Sequence, residues 1–405
     1  MTVFKKKTEL AKGVFWPSYL IGIAVIVLGI ANQKLFGSIL DAGLNWVSDN
    51  FGWWLVLFAL ILVLLVFGLA FSKAGDVVIG GAGAKPEYTM WQWFSMSLKG
   101  GIGTGILFWA MGEPIFHMAA PPAAAGAQPF TREAGLFAIS QTMLHWTIAQ
   151  YAMYSLCAVG VALMAYNRRR TISVSSIFEP YLSSSVYGVV KTVVPMVSLF
   201  CIVGALACSM AVGLMQINSG LNFFFGLPID GVTVFAIAAI MVTVYVVSCL
   251  TGIKKGMRVL SSFCTIVFIG LMVYVLCLGP TRFIVDAGTE SLGGFFNRFF
   301  EHSVILPTMA ENETWSKSWI IMFMASFFVY APIIGLFLAR LGKGRTVREF
   351  IFMNIGAPTL FCIVWIAIWG GTTVWLQYTG IMDVWQSVNE KGLEVTIFTI
   401  LSTLP

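Results

Sequence analysis

The sequence predicts an all-α polytopic membrane protein, and three observations carry that prediction. Of its 405 residues, 58% are hydrophobic and only 10% charged, with a mean hydropathy of +0.87; an ordinary soluble domain carries about 25% charged residues. Apolar runs of about 20 residues, long enough to cross a bilayer, recur from end to end. The basic residues sort between those runs as membrane insertion requires.

Nine runs read as spans, at roughly 14–33, 52–72, 91–111, 135–166, 189–220, 231–250, 259–279, 318–339 and 350–377. A last segment, 394–405, begins as apolar. Lys5, Lys6 and Lys7 lead into the first run near Trp16 without a small-residue cleavage site, so that run is expected to stay as an anchor. Alternating the spans from a cytoplasmic N-terminus puts seventeen of the 24 Lys and Arg residues inside, among them Arg168, Arg169, Arg170, Lys254, Lys255, Arg340, Lys343, Arg345 and Arg348. Six fall outside (Lys34, Arg132, Arg282, Arg298, Lys317, Lys391), and Lys99 lies within the third run. This positive-inside bias predicts a multi-pass protein of the cell inner (cytoplasmic) membrane with its N-terminus in the cytoplasm. It also accounts for the net charge of +6 without a nucleic-acid partner; membrane lipid is the expected neighbour.

The third run is irregular. Lys99-Gly100-Gly101-Ile102-Gly103-Thr104-Gly105 places four glycines in six positions, each costing a helix about 1 kcal/mol relative to alanine. Lys99 adds a charge that costs about 2.5 kcal/mol or more at mid-membrane. Freed backbone at that depth is tolerated only where protein buries it or a cavity needs it. A broken helix with polar backbone is what a transporter builds around its substrate.

The connections differ in character. The segment 112–134 is rich in Ala, Pro and Gly, and 280–317 contains Phe295, Phe296, Phe299 and Phe300. Those rings read as one face of an amphipathic helix, lying either in the outer membrane interface or on protein. The third and eighth runs both begin with paired tryptophans (Trp91/Trp93 and Trp315/Trp319), a faint echo of the kind inverted repeats leave. The expected organisation is 1–90, an N-terminal tail with two peripheral helices; 91–280, a five-helix repeat; 281–317, the external loop; and 318–405, an incomplete second repeat.

Aromatic residues gather near the broken run. Trp146, Tyr151 and Tyr154 lie within nine residues, and Trp319, Phe323, Phe327 and Tyr330 share one face of the eighth run. Aromatic faces attract cations, and a cage of them recognises quaternary ammonium. Enzyme chemistry finds little support: His117, His145 and His302 are far apart in sequence, none in a metal-ligand spacing. Glu113, beside the broken helix, could relay protons, but it sits in a Glu-Pro pair expected to end its helix. The cysteines (Cys157, Cys201, Cys208, Cys249, Cys264, Cys277, Cys362) lie in or at the ends of spans and form neither a disulfide framework nor a metal pattern. No metal and no cofactor is expected.

Four stretches carry a resemblance. The run from Ala331 to Phe350 (APIIGLFLARLGKGRTVREF), the run from Gly101 to Pro114, His145-Trp146 with Tyr151 and Tyr154, and the run from Gly252 to Ser261 resemble the betaine/carnitine/choline transporter family. The resemblance extends from about residue 14 onward. It implies a five-plus-five inverted-repeat (LeuT-like) transporter core preceded by two extra N-terminal helices. It also implies that the sequence stops before the family's tenth helix, so that the second repeat is incomplete and the protein C-terminally truncated.

The family's substrates are compact quaternary ammonium compounds of betaine, carnitine or choline type, and its members include homotrimers. By position, its aromatic box maps to Trp146, Tyr151, Tyr154 and Phe327, with Trp109 and Tyr330 as further rings and Gly101, Gly103 and Gly105 at the broken helix. Tyr151 and Phe327 stand where the family usually has tryptophan, so a weaker, differently shaped cage is implied. For coupling, Lys99 and Ile102 map to a sodium site partly built of carbonyls, and Arg258 to an arginine of sodium-independent exchangers. Sodium-independent exchange with a fixed charge at the ion position is the expectation. A sodium- or proton-coupled symporter and a non-transporting binding protein stand as alternatives.

Overall fold

The computed structural model describes residues 11–101, 104–250, 258–308 and 313–404. The described residues are helical almost throughout, and their only β-type contact is an isolated bridge between Val78 and Thr346. In order along the sequence the helices are α1 (Lys12–Ala31), α2 (Gln33–Phe71), α3 (Met90–Gly101), α4 (Thr104–Ala119), α5 (Arg132–His145), α6 (Ile148–Ala162), α7 (Ser184–Phe225) and α8 (Gly231–Leu250). They continue as α9 (Arg258–Leu278), α10 (Thr281–Asn297), α11 (Phe299–His302), α12 (Glu313–Ser316), α13 (Met322–Leu341), α14 (Val347–Thr379), α15 (Val384–Lys391) and α16 (Thr396–Leu401).

Eight helical segments of the described residues are long and apolar enough to cross a membrane. The expected third span is absent from that set because helix is described on either side of residues 102 and 103, which lie outside the described residues. Two spans depart from the sequence reading. α2 has 39 residues and extends for about 58 Å at 1.5 Å per residue, nearly twice the hydrocarbon thickness of about 30 Å. Its first half, with Lys34, Asp41, Asn45, Asp49 and Asn50, is polar enough to stand in water, so a stretch read as a loop is helix. The fourth span breaks at Trp146–Thr147 into α5 and α6.

The core is an inner bundle of α4, α5, α6, α13 and α14, where α13 lies along α6, α4 along α5, and α14 against α4 and α6. Tyr151, Tyr154, Trp365 and Trp369 are fully buried there, as is Trp93 of α3, which packs against α13 and α14. The peripheral helices present the opposite pattern, with Ile30 79%, Val232 78% and Leu250 82% exposed. Apolar surface on that scale belongs in lipid.

α10 lies across α5 and α14, and the phenylalanine cluster near its end divides. Phe295 and Phe299 are buried, whereas Phe296 and Phe300 are exposed. The rings divide because consecutive residues lie about 100° apart around a helix, so Phe295 and Phe299 turn to protein while Phe296 and Phe300 turn outward. This element packs on protein with one side and offers two rings outward.

At the end carrying Arg168 and Arg345 the connections are clasped together. Ile79 N–H donates to Arg345 O at 2.9 Å, Gly344 N–H to Ile79 O at 2.8 Å and Val347 N–H to Val77 O at 2.9 Å. Asn167 closes the clasp, its amide donating to Val78 O at 2.9 Å while its Oδ1 accepts from Gly80 N–H at 2.8 Å. Thr346 and Glu349 form a capping box that starts α14 beside it.

Candidate functional site

Trp146 falls in the break between α5 and α6, so its indole turns out of its own helix toward α4. Gly105 of α4 receives it: a Cβ there would lie 2.9 Å from Trp146 Cη2. Glycine, costly to a helix, is what allows this approach. From the other side α13 contributes Phe327 and Phe323. The centroid distances are 6.4 Å from Trp146 to Phe327, 6.5 Å from Tyr154 to Phe327, 6.3 Å from Tyr151 to Tyr154 and 5.2 Å from Trp146 to Phe323. These rings meet edge to face, the preferred arrangement of aromatic quadrupoles. They form a continuous cluster whose members touch one another, so a cation seated among them must part them.

The structure brings together Trp146, Tyr151, Tyr154 and Phe327 as the sequence positions suggest. Tyr151 is anchored to α14 through its hydroxyl, 3.2 Å from Cys362 Sγ. Trp109 lies further along, edge-on to Trp319 at 5.7 Å. Tyr330 is drawn elsewhere, its hydroxyl donating to Ala205 O at 2.9 Å and lying 2.7 Å from Ser209 Oγ, both on α7. Gly101 closes α3, whereas Ile102 and Gly103 lie outside the described residues. Phe323 is a further ring that the family resemblance does not name, although its place on the Trp319–Phe327 face is legible from helical spacing.

Lys99 lies on α3 facing α9. Its Nζ sits 3.2 Å from the centroid of the Phe268 ring and has no hydrogen-bond partner among the described residues. Phe268 in turn lies 5.2 Å from Trp365, which packs on Trp369 at 5.5 Å. The ammonium therefore rests on an aromatic face inside the bundle, a cation–π contact worth about 2 kcal/mol or more where water is excluded. Arg258 opens α9, and its side group lies outside the described residues.

Behind Trp146 is a polar network that sequence separation concealed. α4 does not end at the Glu-Pro pair. It runs through Pro114 to Ala119, and Gly370 of α14 abuts Pro114 and the Ala110 carbonyl, the group a proline at 114 leaves without its helical donor. Glu113 is thus held mid-helix and fully buried. Trp146 Nε1–H donates to its Oε2 at 2.7 Å, and His117 Nε2 and His145 Nδ1 lie 3.1 and 2.6 Å from its Oε1.

The outer ring nitrogens are also engaged. Trp315 Nε1–H donates to His117 Nδ1 at 3.1 Å, and the Gln141 amide lies 2.9 Å from His145 Nε2. An indole N–H can only donate, so His117 carries its hydrogen on Nε2 and gives it to Glu113. One donor atom from each of Glu113, His117 and His145 lies within 4.8 Å of the others, a spacing a metal ion would accept. With His117 Nε2 occupied by hydrogen, the arrangement is a hydrogen-bonded network instead.

A family model described as the betaine/carnitine/choline family transporter matches residues 13–405. The protein belongs to this family. Its members are transporters and not enzymes, and this is a multi-pass membrane protein of that lineage. A probable glycine betaine transporter of Desulfitobacterium hafniense (strain Y51) is 27% identical over 392 residues, spanning 97% of this protein and 77% of the relative. The ectoine/hydroxyectoine transporter of Virgibacillus pantothenticus is 27% identical over 400 residues, 98% of this protein and 79% of the relative. The high-affinity choline transport protein of Escherichia coli (strain K12) is 29% identical over 332 residues, 82% of this protein and 49% of the relative.

Proposed function

We propose that the protein is a secondary transporter of small quaternary ammonium compounds, of betaine, carnitine or choline type, bound among Trp146, Tyr151, Tyr154 and Phe327. The observation that carries this reading is the ring cluster itself. Aromatic groups from α6, α13 and the α5–α6 break converge beside Gly105. A trimethylammonium group has no N–H to donate, so aromatic faces are the chemistry suited to it. The named relatives carry betaine, ectoine and choline, which supports the same substrate class.

For coupling we propose a fixed charge in place of sodium. The Lys99 ammonium, resting on Phe268 beside the glycine-rich stretch, would repel a second cation by about 1–4 kcal/mol at 4 Å, depending on the effective dielectric. Sodium-independent exchange follows from that reading. A homotrimer remains the assembly the family suggests.

The test is binding of glycine betaine, carnitine, γ-butyrobetaine and choline to purified protein, followed by tryptophan fluorescence in potassium buffer with and without sodium. Saturable binding of at least one of them is expected, without sodium, and Lys99→Ala is expected to introduce a sodium requirement. Binding only with sodium would sink the fixed-charge reading, and no binding of any compound would sink the substrate reading.

A further inference from the structure

The Glu113 network does something the ring cluster alone does not require. Glu113, His117 and His145 are all fully buried. A buried carboxylate without a countercharge is strongly disfavoured. Lys99 is engaged with Phe268 on α9, and His117 cannot supply the charge, because Trp315 N–H occupies its Nδ1. His145 can. Its Nδ1 faces Glu113 Oε1 at 2.6 Å and its Nε2 faces the Gln141 amide. That amide suits either state: its NH2 donates to a bare Nε2, and turned over its carbonyl accepts from an Nε2–H.

We propose that Glu113 and His145 hold one titratable proton between them, with Gln141 as the adapting partner, and that this proton sets where the Trp146 indole lies. With the proton present the pair is neutral, as protonated carboxyl with imidazole or as carboxylate with imidazolium. On release the N–H or O–H bond breaks, water takes the proton, and the pair is left with one negative charge. Burial favours the first state and hydration the second, so opening the bundle to water expels the proton. Trp146 reads the change directly because its indole N–H is bonded to Glu113 Oε2. The link to transport rests on Trp146 serving as a substrate ring; the proton site does not.

Few other ionisable groups face the pair from the packed elements. α11 brings the buried His302, flanked by Arg298 and Glu301, and charge on His302 opposes charge on His145. Arg132 of α5 pairs with Glu290 of α10, Arg282 with Asp286, and Lys317, preceding α13, with Asp49. α14 carries only Arg348 and Glu349, both in its first turn, and α6 carries no charged residue. Beyond α4, Asp383, Glu390, Lys391 and Glu394 belong to α15 and the turns flanking it.

The test needs no ligand. The whole protein, labelled with 15N at histidine and tryptophan, is placed in lipid nanodiscs and followed by NMR from about pH 5 to about pH 10, a range spanning histidine and carboxylate titration even when shifted by burial. His117→Gln, His145→Gln, His302→Gln and Trp146→Phe assign the signals. The His145 ring nitrogens and the Trp146 indole are expected to move together with one midpoint while His117 keeps its single Nε2 hydrogen. Glu113→Gln is expected to abolish the joint transition. Gln141→Leu, which leaves the charges in place, is expected to move the midpoint by about one pH unit, a tenfold change in proton affinity. A Trp146 signal that stays still while His145 titrates, or no transition in either, would overturn the proposal, as would a Gln141→Leu midpoint equal to that of the unaltered protein. A joint transition in protein that binds no quaternary ammonium would leave the proton site standing and remove only the substrate reading.

Discussion

At Gly105 the difference between one hydrogen and one methyl group decides where an indole lies. A Cβ there would meet Trp146 Cη2 at 2.9 Å and Cζ3 at 3.2 Å. The ring cannot simply swing away, because its N–H is bonded to Glu113 and its edge lies against Phe323. Gly105→Ala is therefore expected to leave the protein folded and weaken quaternary ammonium binding about tenfold, or about 1.4 kcal/mol. Fluorescence titration measures this, with Gly204→Ala as the control since a Cβ there meets nothing within 4 Å. Equal affinity in the two variants would detach Trp146 from the ligand. At this scale the sequence spoke clearly about residue types and poorly about partners. Helical spacing paired Tyr151 with Tyr154 and set Phe327 on one face with Trp319 and Phe323, whereas grouping Trp146, Tyr151, Tyr154 and Phe327 as one box came from the family resemblance alone. The partners of Glu113 were not legible: a residue before proline is biased away from helix, yet α4 runs on through Pro114 to Ala119, with Gly370 close against Pro114 and the Ala110 carbonyl.

Among the elements, hydropathy located the spans and missed where they begin, bend or extend. α2 is long because its polar first half stands outside lipid, and the α5–α6 break at Trp146–Thr147 has no glycine or proline to mark it. The 331–350 run stood out as a motif, and the clasp supplies a physical reason for part of it. Gly344 adopts φ +80°, and a Cβ there would fall on the Lys85 carbonyl carbon and the Pro86 nitrogen. Gly81, in the same clasp, has φ +87° but open space around it. Both alanine substitutions incur the strain of a left-handed backbone, about 1–3 kcal/mol, and Gly344→Ala adds a collision with backbone. Thermal unfolding in detergent is expected to rank the variants with Gly344→Ala well below Gly81→Ala and both below the unaltered protein. Equal midpoints for the two variants would show that the clasp yields without cost.

For the whole molecule, composition alone distinguishes lipid from water as solvent, and the exposed apolar faces of α1, α8 and α9 agree with it. What no hydropathy pattern contains is convergence across helices: His117 and His145 lie on different elements and meet only because α4 packs along α5. Charge bias, by contrast, makes a prediction about the molecule as a unit. The clasped end carries Arg168, Arg169, Arg170, Arg340, Lys343, Arg345 and Arg348, and the rule that basic loops stay in the cytoplasm assigns that end to the cell interior. Ala124, in the connection between α4 and α5, and Tyr181, 83% exposed before α7, lie in connections assigned to opposite sides. A membrane-impermeant maleimide is expected to label Ala124→Cys in intact cells and Tyr181→Cys only after permeabilisation. Cys157, Cys201, Cys208, Cys264, Cys277 and Cys362 are free and lie within helices assigned to the membrane, where a water-borne reagent does not reach them, so the unaltered protein supplies the background. Labelling in the reverse order would place the clasp outside. It would then turn the Met90 end of α3, which adjoins the clasp through Arg345 and the Tyr88 carbonyl, toward the exterior and the Lys99 end toward the cytoplasm.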